Sequence, residues 1–262
     1  MVGARALGVV RWMWTACSAC ALTMILMASV MAAGAAEPEV GAAVLIKNTV
    51  TGTLGTNERQ LKTGIRVHRN ELIRTGPQAQ AELKLDDNTK LALGPETELR
   101  LDEYAVGSGG SAPSIGLKFL KGTLRFLTGS NASESYKIET PSATIGVRGT
   151  IFDIYVAPSG DTFVLIHKGK VEICSEKRTC RFHRTIGRVV QATALGVVSQ
   201  PMKWTANLVG GVGVAQAFPF VGRKLVIDPV PRSHHKAISD DLKVLENGGR
   251  TIERTLKKVS PF

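Results

Sequence analysis

The sequence predicts an all-β domain of short strands, a β-roll, solenoid-like coil or meander, followed by a C-terminal linker and short helices. Three observations carry this prediction. Apolar and polar residues alternate at period two over much of the chain, the signature of strands with one buried face. Gly, Pro, Asn and Asp interrupt these runs at short intervals, so the strands are short and joined by turns. Aromatic residues make up 5% of the chain against a hydrophobic fraction of 44%. The core is therefore one of Leu, Ile and Val, which argues against an aromatic-lined cleft for carbohydrate or nucleotide.

The first 36 residues read as a unit of their own. Arg5 and Arg11 precede a charge-free stretch from Trp12 to Ala33, which ends in Ala33-Gly34-Ala35-Ala36 ahead of Glu37-Pro38. A positive start, an apolar middle and a small-residue end describe an export signal peptide over 1–36, cut after Ala35 or Ala36. The length of the apolar stretch also suits an uncleaved membrane anchor. Cys17 and Cys20 lie inside this segment, where their C-x-x-C spacing has no folded context to act in.

The strands follow in order. Gly41 to Ile46 and the run around Val50, broken by Gly52 and Gly55, supply the first, and Leu61 to Thr75 the next pair before the turn Thr75-Gly76-Pro77. Ala79, Ala81, Leu83 and Leu85 then share one parity with Leu91 and Leu93 beyond Asp86-Asp87-Asn88, and with Leu99 and Leu101 beyond Gly94-Pro95. One apolar face thus continues past two turns. Val106 to Pro113 is a Gly/Ser-rich loop; Ile115, Leu117 and Phe119 resume the alternation, Lys121-Gly122 turns the chain, and Leu124 and Phe126 return. Asn131-Ala132-Ser133 fits a glycosylation sequon but reads as a polar loop.

The stretch Glu139 to Ile154, ETPSATIGVRGTIFDI, is the centre of the pattern. Pro141 cannot donate to a ladder and marks the start of a strand, on which Ala143, Ile145 and Val147 form the buried face. Gly149 suits a bulge or corner at positive φ before Ile151, Phe152 and Ile154 resume. Arg148 sits at that corner in an apolar run, where a guanidinium is either a structural tie to backbone carbonyls or a ligand-facing charge.

Further on, Phe163 to Ile166 and Val171 to Cys174 flank His167-Lys168-Gly169-Lys170 and predict a hairpin. Cys174 and Cys180, a close pair with no other partner in an exported mature chain, predict a disulfide closing a second hairpin. Zinc at this pair would need further ligands, with His183 the nearby candidate. Residues 37–195 therefore form the β domain, and 196–237 read as a Gly/Pro-containing linker or extended segment. Val209-Gly210-Gly211-Val212-Gly213-Val214-Ala215 superficially suggests a dinucleotide loop but has Gln216 where the third glycine belongs. Residues 238–262 form a basic helical tail, with Ser239-Asp240-Asp241 as a helix start and Ile252, Leu256 and Val259 at helical spacing.

In this order Leu61, Gly64, Val67, Leu72-Ile73-Arg74-Thr75-Gly76, Ala81, Leu83, Leu85, Leu91-Ala92-Leu93-Gly94-Pro95, Thr140-Pro141, Val147-Arg148-Gly149-Thr150 and Val164 to Ile173 resemble the FecR-type periplasmic domain, over about residues 41 to 195. Asn70-Glu71 stands in place of that family's Gly-Asp, and Asp86-Asp87-Asn88-Thr89 in place of its Asp-Gly turn, substitutions that turns tolerate. The resemblance implies a binding or signalling module outside the cytoplasm. Family members commonly carry a cytoplasmic segment and a membrane helix ahead of this domain and relay the state of an outer-membrane receptor to a sigma factor. Here eleven residues precede Trp12, which points to a stand-alone periplasmic interaction domain.

No G-x-S-x-G, H-E-x-x-H or P-loop is present, and histidines 68, 167, 183, 234 and 235 are scattered, so neither an enzyme nor a cofactor or metal site is expected. The formal net charge is +11; residues 37–181 hold 19 Lys/Arg against 17 Asp/Glu and residues 182–262 hold 12 against 5. In an exported protein this basic end directs attention to envelope proteins or cell-wall polymer, not to nucleic acid, and to the membrane peripherally or through the N-terminal segment. A scaffold holding anionic polymer or lipid is the alternative to an interaction module, with a hydrolase of unrecognised site behind both.

Overall fold

The computed structural model describes residues 37–105, 114–129 and 136–228, and leaves out the side chains of residues 103–105, 114, 115, 148 and 206. The expected signal segment, the 106–113 loop, the sequon at 131–133 and the 238–262 tail lie outside the described residues. The strands are β1 (Glu39–Lys47), β2 (Val50–Leu54), β3 (Asn57–Gln60), β4 (Arg66–His68), β5 (Leu72–Thr75), β6 (Gln80–Leu85) and β7 (Lys90–Leu93). They continue as β8 (Glu98–Ala105), β9 (Ser114–Leu127), β10 (Tyr136–Glu139), β11 (Ala143–Val156), β12 (Thr162–Ser175), β13 (Cys180–His183) and β14 (Val189–Ala192). All are joined in one hydrogen-bonded sheet.

Three strands of 14 residues organise that sheet, because each changes neighbours halfway along. The first half of β9 lies between β8 and β10, parallel to the latter, and its second half between β7 and β11. Likewise β11 exchanges β10 for β9 while keeping β12, and β12 exchanges β14 for β13. The sheet therefore folds into two layers. One runs β3-β2-β5-β8-β9-β10-β11-β12-β13 and the other β4-β1-β6-β7-β9-β11-β12-β14.

Ile73, Leu99, Ile138 and Ile145 from the first layer and Leu83, Leu91, Phe126 and Ile154 from the second meet in one core. The shared parity of Leu93 and Leu99 places both inside, but from opposite layers, since the chain crosses over after Gly94-Pro95.

Two expected hairpins are corrected. Lys121-Gly122 and His167-Lys168-Gly169-Lys170 do not reverse the chain but lie within β9 and β12. Gly122, Gly149 and Gly169 all take positive φ, at 91°, 61° and 85°. One such residue swings a strand from one layer to the other while its ladder continues on both sides, so a bend forms where the sequence suggests a turn.

The one-buried-face expectation also fails for the second layer, because residues 201–228 are laid across its outer surface. A 3-10 turn (Ala206–Val209) and a short helix α1 (Val214–Ala217) interrupt this otherwise irregular strap. Trp204, Val214 and Phe218 pack on Tyr155, Phe163, Leu165 and Val189; Phe220, Leu225 and Ile227 pack on Ala92 and Leu127. No helix among the described residues is long and apolar enough to cross a membrane.

Candidate functional site

The central motif builds a corner. The Thr140 N–H donates to the Ala143 carbonyl (2.8 Å) and the Ala143 N–H donates to Thr140 Oγ1 (3.0 Å), closing a turn around Pro141, two residues ahead of β11. Val147 is buried in the core. Beyond it the register slips between Arg148 and Ile151, the bulge that Gly149 suits. Buried Thr150 ties the three long strands together there. Its N–H donates to Thr128 Oγ1 (2.9 Å), its hydroxyl donates to the Lys170 carbonyl (2.7 Å), and its carbonyl accepts from the Thr128 N–H (3.1 Å). The Arg148 side chain lies outside the described residues.

A second constellation lies beneath the strap. Arg125 donates through Nε and Nη2 to both carboxylate oxygens of Asp153, at 2.6 and 2.8 Å, and through Nη1 to Asp228 of the strap at 2.8 Å. His167 Nε2 lies 3.0 Å from Arg125 Nη2 and 3.0 Å from Asp153 Oδ2. The guanidinium also faces the Phe220 ring, 5.9 Å from its centroid. Burial opposes the charge on Asp153, but Arg125 and then His167 outweigh it and hold the carboxyl well below its usual range. Burial likewise opposes the Arg125 charge, and Asp153 and Asp228 raise its pKa in spite of it. Arg125, Asp153 and His167 are 0%, 0% and 1% exposed, so the group is committed internally and has no route to a substrate. It is an anchor for the strap. The sequence carried no distinct signal for it, since Arg125 and Asp153 alternate with core residues as outward-facing strand positions do.

The open site is a cleft of about 1040 Å³ where β2 and β5 face the ends of β1, β6 and β11 and the Gly122 bend of β9, with the strap as one wall. Lys47, Arg74, Lys121 and Arg223 face Glu96 and Glu98 there, among hydroxyls such as Thr49 and Thr51. Glu98 pairs with both Arg74 (3.4 Å) and Lys121 (3.1 Å). No histidine or cysteine stands among the described residues lining it. Polar groups of this kind can hold a partner.

Cys174 and Cys180 face each other across β12 and β13 and form a disulfide. Glu172 approaches both sulfurs within 4.8 Å, yet joined sulfurs have no thiolate to offer a metal. His183 is buried, with Nε2 3.0 Å from the Arg188 carbonyl. Burial pushes its pKa below the ordinary value, against the opposing carbonyls of Arg188 and Val164.

Residues 71–172 match the family model described as FecR protein, a span running from the start of β5 into β12. No curated protein matches the chain. Two crystal structures of a candidate anti-sigma factor from Parabacteroides distasonis, at 1.65 and 2.50 Å resolution, match at 16% identity with TM-scores of 0.41 and 0.42. Each alignment covers 50% of this chain and 60% of that one.

Proposed function

We propose that this chain, FecR-like over residues 71–172, is an exported, non-enzymatic interaction or signalling module of the bacterial cell envelope. The family match carries the reading. It spans the strands that make the corner, and the motif residues Thr140, Pro141, Val147, Gly149 and Thr150 serve that corner, which leaves recognition to the surfaces. Export is supported by the apolar segment before Glu37 and by a disulfide, a bond that persists in oxidising compartments. We take 1–36 as the signal, 37–195 as the domain on which the following segment lies, and 238–262 as the basic tail.

The test is affinity capture from envelope extracts, using the full chain expressed with its own N-terminal segment. A protein partner retained at high salt supports the module. Retention on wall or lipid material that salt abolishes would replace it with a charge-held scaffold.

A further inference from the structure

Positive charge is unevenly placed on the described domain. Residues 37–167 hold 14 Lys/Arg against 15 Asp/Glu, whereas residues 168–188 hold 7 against 2. In the body eight of these cations, Arg59, Arg66, Arg69, Arg74, Lys118, Lys121, Arg125 and Lys137, each meet a carboxylate, while Lys47, Lys62, Lys84, Lys90 and Arg100 lie singly among acidic residues of nearly equal number. Among the described residues none of the seven cations from Lys168 to Arg188 has an ion-pair partner.

Four of them, Lys168 and Lys170 on β12, Arg181 on β13 and Arg184 just after it, lie at a free sheet edge. Among the described strands β13 pairs with β12 alone. Phe182, in the middle of β13, is 64% exposed and Ile186, just beyond, is 49% exposed. Lys170 holds its ammonium 5.9 Å from the centre of the Phe182 ring, and Lys168 and Arg184 are exposed nearby in sequence. The Cys174–Cys180 bridge fixes β13 to β12, so less conformational freedom is lost when something docks there.

We propose that this edge docks an acidic polypeptide segment in extended form. Its backbone pairs with β13, its apolar side chains rest on Phe182 and Ile186, and its carboxylates meet the unpaired cations. A second copy of the chain is disfavoured, since it brings the same charge to the edge. A purely charged polymer or a lipid surface would leave the backbone edge unused. The inference rests on the interaction-module reading and gives its partner a chemistry.

The test is calorimetric titration of the full chain with a synthetic peptide of about ten residues in which Glu alternates with Val and Ile. Its Lys analogue, polyglutamate and phosphatidylglycerol vesicles are the controls. The expected result is binding of the Glu peptide with slowed hydrogen exchange at the amides of residues 180–183, and no binding of the Lys analogue. Lys170→Glu/Arg184→Glu, on two exposed side chains, should weaken binding about tenfold or more with melting unchanged; Phe182→Ser should weaken it as well. Equal uptake of polyglutamate or vesicles without amide protection overturns the proposal, as does failure of the Glu peptide to bind. If an envelope partner is captured equally by the wild type and the double variant, the edge falls and the proposed function stands. If the peptide binds but no envelope protein is captured at high salt, the proposed function falls and the edge stands.

Discussion

The glycines of the corner differ in what a side chain would meet. A Cβ at Gly149 has open space, whereas one at Gly169 would lie 2.6 Å from the Gly149 carbonyl oxygen. Both positions have positive φ. Gly149→Ala should therefore cost about 1 kcal/mol and Gly149→Val about 2, from backbone strain alone. Gly169→Ala should cost about 3, because backbone crowding adds to strain. Urea midpoints check this ordering, and equal losses at Gly149 and Gly169 would show that only φ matters. Arg148→Ala is expected to cost about 1 to 3 kcal/mol if the guanidinium is a structural tie; unchanged stability with loss of a captured partner would assign it to a ligand.

Burial sorts the charges at the same scale. Asp153→Asn leaves buried Arg125 with Asp228 as its remaining carboxylate and should cost about 3 to 5 kcal/mol. Arg66→Ala, on a partner-rich but exposed arginine beside Glu39 and Asp86, should cost about 1 or less. Because the folded-state pKa of Asp153 is depressed, its stabilisation is present above the unfolded value of about 4 and is lost as pH falls through the acid range. Wild-type urea midpoints should decline steeply between about pH 4 and 2, and Asp153→Asn should flatten that limb.

Among elements, the strap has the largest consequence. Trp204 makes edge-on contacts with Phe163 and Phe218, each at 5.2 Å, and donates from Nε1 to the Val212 carbonyl at 3.2 Å. Trp204→Ala should cost about 3 to 5 kcal/mol. The other two tryptophans, Trp12 and Trp14, precede Glu37, so in a processed chain indole emission reports the strap alone. If the strap belongs to the cooperative unit, emission and far-UV circular dichroism will change together on unfolding; an earlier emission transition would make it a separable lid. The strap escaped the sequence reading because the wall it covers is written on β6, β9, β11 and β12. Glu82, Arg125, Asp153 and His167 occupy outward positions there and read as solvent-facing until something is known to lie over them. The edge hairpin was more legible, since Cys174 and Cys180 flag it; reducing their bond should cost about 2 kcal/mol.

For the whole molecule, the export reading predicts a mature chain beginning at Ala36 or Glu37 by intact-mass analysis and no free thiol on labelling after denaturation without reductant. A product starting at Met1, or two labelled cysteines, would defeat it. Sequence alone determined the all-β class, the inward set from Ala79 to Leu101, the positive φ of Gly149, and the Cys174–Cys180 pairing. All four are local: alternation, turn chemistry and short separations depend on residues a few positions apart. Tertiary structure alone decided that Gly122 and Gly169 bend strands instead of reversing them, that one sheet closes into two layers, and that Arg125 meets Asp228 across 103 positions. A glycine permits a bend and a turn equally, and the choice falls to whichever neighbouring strand completes its hydrogen bonds. Such partners come together only when the chain has folded.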